Sequence, residues 1–212
     1  MTAVLNRAGY FVNRKRIQRL MAIMGISAIY PEPNLSKRCK EHVVFPYLLR
    51  NLAIERVNQV WGVDITYLRL KAGFAYLVAF IDWFSRYVLS FKVSTSLDNQ
   101  FCIAALKDAL RIGKAEICNS DQGVQFTSLP FVNSLKEANI KISMDGRGRA
   151  LDNVFTERLW RSVKYEDVYL KDYETPKESF CGLKAYFRFY NNDRPHQALK
   201  YKTPAEVFYA TA

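Results

Sequence analysis

The chain has 212 residues, of which 50% are hydrophobic and 14% aromatic, so it can bury one sizeable core and global disorder is excluded. Its formal net charge is +11, and residues 1–58 contain ten Lys or Arg against three Asp or Glu, which makes the front the cationic end. This charge indicates a polyanion such as nucleic acid, although solvated surface explains many basic proteins as well. No apolar stretch reaches the about 18 to 20 residues of a transmembrane helix and no signal-peptide pattern starts the chain, so no membrane contact is expected.

Metal binding through sulfur is not expected. Four cysteines are present without CxxC spacing, and only two histidines could join them, so the pattern of a zinc knuckle is absent. The expected state is free, buried thiols in a reducing cytoplasm.

Two short helices are predicted at the front, at residues 2–7 and 14–24. The second has Asn13 as N-cap, Gly25 as C-terminal stop, and apolar residues at helical spacing opposite a basic face. The pair fits a helix-turn-helix, and it also fits two ordinary surface helices. Because a DNA-reading helix-turn-helix packs on a third helix and none precedes Met1, residues 1–30 are interpreted as a partial helix-turn-helix-like segment. The candidate DNA contacts in this segment are Arg14, Lys15, Arg16 and Arg19.

The next segment, residues 31–58, contains prolines, basic residues and no sustained period, which predicts a basic linker. A core follows at residues 59–212. The predicted strands of this core are 60–70, 74–83, 86–93, 115–119 and 140–143. The first three are separated by tight turns and therefore form an antiparallel meander.

Helices separate and follow the last two strands. The predicted helices are 98–112, 129–138, 152–165, 176–190 and 204–209. Strands separated by helices join a sheet in parallel through crossovers. The sequence therefore predicts an α/β fold with a mixed sheet flanked by helices and with a C-terminal helical extension.

Three acidic residues stand where one edge of this sheet would gather them. Asp64 interrupts the otherwise apolar first strand, where an ionised carboxylate is costly unless a cation pairs with it. Asp121 follows the strand at 115–119, at the carboxyl edge where open α/β sheets bind ligands. Glu157 lies one turn into a helix, and the 35 residues between it and Asp121 are enough chain to return across the same edge.

Three oxygen ligands meeting at this edge would form a hard-cation site suited to Mg²⁺ or Mn²⁺. Two such ions about 3.5 to 4 Å apart would activate water or a 3′-hydroxyl and stabilise the leaving oxygen. With 20 acidic residues in the chain, however, spacing alone is weak support. The alternatives are that Asp64 is a strand-end charge, Asp121 an ordinary turn residue and Glu157 a helix-surface acid.

Cations accompany the third carboxylate. Arg161 and Lys164 follow Glu157 by four and seven residues and share its helical face, where they would contact DNA phosphates. A simple exposed ion pair between Glu157 and Arg161 is the alternative. Arg147 and Arg149 lie in a stretch punctuated by glycine, which predicts a mobile loop able to close over DNA.

Five longer segments form recognisable motifs: NRKRIQRLMAIMGISAIYPEPNLS at 13–36, WGVDITYLRL at 61–70, NSDQGVQFTS at 119–128, SMDGRGRALDNVFTERLWRSVKYE at 143–166 and FYNNDRPHQALKYKTPAEVF at 189–208. They resemble bacterial insertion-sequence transposases of the DDE superfamily, which includes retroviral integrases. The chain most resembles the second-frame product of the family whose transposase is made by frameshifting between two overlapping frames. The resemblance extends over essentially the whole chain.

This resemblance implies a ribonuclease-H-like core whose metal-binding carboxylates fall on Asp64, Asp121 and Glu157. The basic position seven after the glutamate, which faces the DNA end in the superfamily, falls on Lys164. A C-terminal motif at 191–196 also matches, and the residues themselves indicate only pairing or capping within the fold.

The implied activity is metal-dependent DNA cleavage and strand transfer at insertion-sequence ends with two Mg²⁺ or Mn²⁺ and no covalent protein intermediate. The implied partners are element ends, target DNA, further copies of the chain and the upstream-frame product. Proteins of this kind have more chain before the position of Met1, so a truncated, catalytically idle DNA-binding remnant or regulator is the alternative. A third hypothesis is a ribonuclease-H-like nuclease acting on hybrids or junctions, since fold alone does not fix the substrate.

Overall fold

A computed structural model describes residues 1–24, 43–71, 73–146 and 153–210. The chain forms two compact units, Met1–Lys37 and Arg38–Ala212. Across the described ranges, no helix is both long enough and apolar enough to span a bilayer. Each unit has its own architecture.

The first unit contains helices α1 (Thr2–Arg7) and α2 (Arg14–Ile23). The side chain of Asn13 accepts a hydrogen bond from the backbone N–H of Arg16 at 2.8 Å, which confirms the predicted N-cap. Asn6 Oδ1 accepts from the backbone N–H of Val12 at 3.0 Å and so ties the turn to the first helix. Gly25, the predicted stop, lies outside the described residues.

The second unit is built on a five-stranded sheet. Its strands are β1 (Val60–Leu70), β2 (Gly73–Asp82), β3 (Val88–Ser94), β4 (Ile117–Ser120) and β5 (Lys141–Met144). The spatial order is β3-β2-β1-β4-β5. The first three strands pair antiparallel, whereas β4 and β5 join in parallel, which confirms the predicted meander with two crossover strands.

Helices cover both faces of this sheet. They are α3 (Gln100–Ala109), α4 (Leu129–Glu137), α5 (Val154–Val163), α6 (Tyr169–Lys171), α7 (Pro176–Asn192) and α8 (Pro204–Tyr209). Apolar side chains of α3, α4 and α8 fill one core, and those of α5 and α7 fill the other. The predicted mixed sheet flanked by helices is therefore confirmed.

The described part of the predicted linker, residues 43–58, contains no helix or strand but lies against the core. The backbone N–H of Leu48 donates to Ser143 Oγ at 3.0 Å, and Leu49 is buried. The backbone N–H of Phe45 lies 3.5 Å from the sulfur of Met144. The chain that leads into β1 is thus attached to β5, at the far edge of the sheet.

The helix predicted at 152–165 differs from the observed one at its C-terminal end. After α5 the chain continues as a π-helical turn at Lys164–Val168 and then as α6. Tyr173 donates a 2.5 Å hydrogen bond to the buried carboxylate of Asp167 inside this turn. Because the partners of the turn lie later in the chain, helical periodicity alone could not predict it.

Helix α7 is attached to the edge strand β3 through one side chain of the C-terminal motif. Asn191 Oδ1 accepts from the backbone N–H of Val88 at 2.9 Å, and its Nδ2 donates to the Val88 carbonyl at the same distance. Asn191 is buried, so both hydrogen bonds are shielded from water. The Asn191 amide therefore forms the two hydrogen bonds with the backbone of Val88 that a neighbouring strand would otherwise form.

We expect Asn191→Ala to lower the free energy of unfolding by about 2 to 4 kcal/mol, because a buried N–H and a buried C=O lose their partner. The neighbouring Asn192 is exposed and donates only to the carbonyl of Arg188. Asn192→Ala is the matched control and should change stability by no more than about 0.5 kcal/mol. Urea unfolding measures both, and equal losses in the two variants would contradict this role of Asn191.

Candidate active site

The first candidate carboxylate takes its position from the alternation of side chains along β1. Trp61 and Val63 belong to the core beneath α3 and α4, whereas Val60 and Leu68 belong to the core beneath α5 and α7. Successive residues of a strand point to opposite faces of the sheet. Asp64 has the parity of Val60, so it lies on the face that α5 covers.

Strand register places three aspartates level with each other. The last pair of β1 and β4 is Gly62 with Asn119, so two residues further along each strand Asp64 lies level with Asp121. The last pair of β4 and β5 is Ser120 with Met144, so one residue further along Asp121 lies level with Asp145. Neighbouring strands are about 4.8 Å apart. The carboxyl edge of the parallel strands therefore gathers negative charge at adjacent positions.

Among the described residues, the Asp64 carboxylate forms no salt bridge. Its Oδ2 instead accepts a hydrogen bond from the indole Nε1 of Trp160 at 2.9 Å, and its Oδ1 accepts from the backbone N–H of Ile65 at 2.7 Å. Burial raises the pKa of Asp64 to about 6, and the charges of Asp121 and Asp145 add to the rise. The site is short of positive charge.

Asp121 lies one residue beyond the end of β4 and is exposed to solvent. Its Oδ1 accepts from the backbone N–H of Gly123 at 2.8 Å, which holds the carboxylate in the loop. The pKa of Asp121 is raised because the surrounding protein partly desolvates the carboxyl group, against the effect of this hydrogen bond. Asp145, directly after β5, is buried and accepts from Asn119 Nδ2 at 2.7 Å.

Helix α5 lies close against β1 on this face. A Cβ on Gly62 would overlap Nε1 of Trp83 and come within 2.9 Å of Thr156 Oγ1. One turn later, Trp160 contacts Asp64 through its indole nitrogen. Glycine at position 62 therefore allows α5 to approach the strand closely enough for that hydrogen bond.

Glu157 lies three residues before Trp160, on the neighbouring flank of α5, and is exposed. The proposed exposed ion pair with Arg161 is not formed, since the described residues show no salt bridge at either side chain. Within the same described ranges, no three His, Cys, Asp or Glu side chains are close enough to hold a metal ion together. The structure brings Asp64 and Asp121 together and leaves Glu157 at the rim.

The predicted DNA contacts are distributed over three regions. Lys164 is half-buried at the end of α5, and Arg161 is exposed one turn earlier. Arg147 and Arg149 lie outside the described residues. The basic residues of α2 are exposed in the first unit: Arg14, Lys15, Arg16 and Arg19.

The C-terminal motif pairs with the end of the helix that contains Glu157. Arg194 binds both oxygens of Glu166 in the π-helical turn, at 2.6 Å and 2.9 Å, and Tyr186 donates to the same carboxylate at 2.9 Å. His196 Nε2 lies 3.4 Å from an Arg194 nitrogen, and its ring packs edge-on against Tyr190 at 4.7 Å. The pairing within the fold that the sequence indicated for this motif is thus observed.

Two residues of the site could not be named from sequence. Trp160 belongs to the apolar stripe of a helix, where an aromatic residue usually packs in the core. Only its position three residues after Glu157 indicated that it could lie near the carboxylates. Asp145 follows a short strand in the same way that Asp121 does, and only the parallel pairing of β4 with β5 makes the two equivalent.

Family models match three parts of the chain. Two models described as "Integrase core domain" match residues 54–150 and 138–204. A model described as "HTH-like domain" matches residues 1–34.

Individual relatives match over nearly the full chain. The transposase for insertion sequence element IS629 of Shigella sonnei is 30% identical over 96% of this chain and 70% of the relative. The putative transposase InsK for element IS150 of Escherichia coli K12 is 31% identical over 97% of this chain and 75% of the relative.

Solved structures share the fold. The HTLV-2 integrase catalytic core domain in complex with magnesium has a TM-score of 0.59 at 22% identity, over 73% of this chain and 98% of that one. The simian T-cell lymphotropic virus intasome has a TM-score of 0.64 at 18% identity, over 98% of this chain and 70% of that one.

The histidine of the C-terminal motif predicts a pH dependence of stability. Burial, with Arg194 adding to it, lowers the pKa of His196 to about 4, below its ordinary 6.5. The folded protein therefore disfavours the protonated ring, and stability present above about pH 6.5 is lost as the pH falls toward 4.

We expect urea unfolding to show a smaller loss of stability between about pH 7 and pH 5 for His196→Gln than for the wild type. The raised pKa of Asp64 acts in the opposite direction in both proteins and cancels in the comparison. Identical losses in the two proteins would show that His196 is not protected from protonation.

Proposed function

Because the chain belongs to the bacterial insertion-sequence transposases of the integrase superfamily, we propose that Asp64, Asp121 and Glu157 are its catalytic carboxylates. The protein is a transposase, and membership of the superfamily implies polynucleotidyl transferase activity on DNA. The idle remnant or regulator is not favoured, since relatives match over nearly the whole chain. A nuclease for hybrids or junctions is likewise the weaker reading, because those relatives are transposases.

The observation that supports this site most strongly is the Asp64 carboxylate. It is partly buried beside Asp121 without a cation, and its pKa is about 6 because burial and neighbouring carboxylates oppose ionisation. A divalent cation would remove this repulsion, and carboxylate oxygens are the ligands that Mg²⁺ and Mn²⁺ prefer. Asp64 and Asp121 therefore fit a divalent cation, and we propose two such ions with Glu157 as the third carboxylate ligand.

In this mechanism the protein mainly positions groups. Bound Mg²⁺ or Mn²⁺ would supply activation of the attacking water or 3′-hydroxyl and stabilisation of the leaving oxygen. The Trp160 indole and the backbone N–H of Ile65 fix Asp64 by donating to one oxygen each, which leaves one lone pair on each oxygen for a ligand. Lys164 and Arg161, on the flank of Glu157, hold phosphates of the DNA beside the carboxylates. No side chain forms a covalent bond with DNA.

The remaining partners follow from the same function. DNA would bind as element ends and as target, and joining two ends requires at least two copies of the chain. Arg147, Arg149 and the basic face of α2 are proposed as further DNA contacts, and the upstream-frame product as a partner. Residues 1–30 would serve as the helix-turn-helix-like segment, 31–58 as the basic linker and 59–212 as the catalytic part. The bacterial cytoplasm, at the nucleoid, is the proposed location.

Asp64→Asn, Asp121→Asn and Glu157→Gln should each reduce cleavage and strand transfer by at least about a hundredfold, because loss of metal ligation removes several kcal/mol of transition-state stabilisation. The assay uses DNA with the ends of the encoding element and Mg²⁺ or Mn²⁺. Glu137→Gln, on the exposed surface of α4, is the matched control and should be active. Full activity of the Asp64 or Glu157 variant would overturn the assigned roles.

Metal binding has a signature that does not depend on turnover. Saturating Mn²⁺ should raise the melting temperature of the wild type by about 2 to 4 °C for each kcal/mol by which metal binding stabilises the folded state. Asp64→Asn should abolish this rise and should be at least as stable as the wild type without metal, since it removes an unfavourable buried charge. Differential scanning fluorimetry measures both effects. An Mn²⁺ shift of equal size in the variant would place the metal elsewhere.

A further inference from the structure

A strongly basic groove of about 700 Å³ runs along α5 and is separate from the line of aspartates. Residues of α5 form one wall, and the segment from Arg194 to Tyr201 forms another. The charged residues that line it are Arg86, Arg158, Arg161, Arg194 and Glu166. Four arginines against one glutamate leave an excess of three positive charges.

Most of this charge has no protein partner. The guanidinium group of Arg194 donates hydrogen bonds to both carboxylate oxygens of Glu166, so Glu166 does not neutralise the other cations. Arg158 and Arg161 are exposed and form no salt bridge among the described residues. A carboxylate from the protein thus neutralises only one of the four guanidinium groups.

Arg86 is held in the groove at a structural cost. Its backbone adopts the left-handed region, with φ at 65°, in the turn between β2 and β3. Its guanidinium stacks 3.5 Å from the ring centroid of Phe155 and donates to the carbonyl of Trp83. Burial lowers its pKa to about 10, so it is still charged at neutral pH. The aromatic ring, the carbonyl and the more distant charge of Asp82 stabilise this cation, but no carboxylate among the described residues forms a salt bridge with it.

The groove also presents aromatic surface beside its cations. Tyr165 and Tyr201 line it and are 66% and 70% exposed. Arginines next to open aromatic rings form the surface that binds a nucleic acid strand, with phosphates on the cations and bases or sugars on the rings. A small anion would need only the cations.

We propose that this groove binds the phosphate backbone of DNA next to the strand whose phosphodiester lies at Asp64. Glu157 and Lys164, two helical turns apart, occupy one flank of α5, whereas Arg158 and Ser162 occupy another flank, next to the groove. DNA that crosses the exposed ridge of α5 therefore contacts both flanks. This inference rests on the proposed function in taking DNA as the ligand.

The test is fluorescence anisotropy with a labelled duplex of arbitrary sequence and with one of its single strands, in EDTA and over a range of salt concentrations. Arg158→Gln should weaken binding about three- to tenfold and reduce the dependence of log Kd on log salt by about one phosphate contact. Arg188→Gln is the matched control, because Arg188 is also an exposed helical arginine but lies outside this groove. It should bind as the wild type does.

Weaker binding of Arg158→Gln to the duplex alone identifies double-stranded DNA as the ligand. Equally weakened binding to both probes shows that the groove contacts the backbone of one DNA strand. Wild-type affinity of Arg158→Gln for both probes, or an equal loss in Arg188→Gln, overturns the proposal. The outcome is separable from that of the carboxylates. Binding in EDTA requires neither the metal ion nor turnover, so failure of the catalytic assignment would leave a positive binding result intact.

Discussion

The hydrogen bond from Trp160 to Asp64 is the contact on which the geometry of the site depends. It joins the helix that contains Glu157 to the strand that contains the first aspartate, across 96 residues of chain. A buried indole N–H needs an acceptor, and a buried carboxylate without a cation needs a donor, so each group satisfies the other. The same contact leaves the carboxylate underneutralised, because a neutral donor supplies no positive charge.

The C-terminal region extends this connection to the opposite edge of the sheet. Arg194 fixes the π-helical turn through Glu166, and Asn191, three residues earlier, fixes β3 through the backbone of Val88. One segment therefore links the far end of α5 to an edge strand. Residues outside the three proposed catalytic carboxylates thus determine how α5 is oriented over the sheet, which gives the pairing expected for this motif a physical role.

The parts of the fold that could be predicted are those encoded by local pattern. Runs of β-branched and aromatic residues separated by tight turns predicted the strands and their antiparallel meander, and Asn13 predicted the start of α2. The π-helical turn could not be predicted, since its glutamate is paired with an arginine 28 residues later. The docking of residues 43–58 on β5 was missed for a similar reason, because an aperiodic segment gives no sign of what it packs against. In the site, Asp64 and Asp121 were placed by their strands, but the hydrogen bond from the Trp160 indole to Asp64 depends on tertiary packing.

Gly62 contributes no side chain to the site, yet its missing Cβ sets how close the helix can lie to the sheet. Nε1 of Trp83 and Oγ1 of Thr156 both occupy the space above it and have no hydrogen-bond partner in the described part of the protein. Two buried polar atoms are left unsatisfied at the point of closest approach, a cost that a looser packing would avoid. The protein thus gives up some stability to hold two carboxylate-bearing elements together. A single methyl group added at Gly62 would separate the helix from the strand while leaving every acidic residue in place.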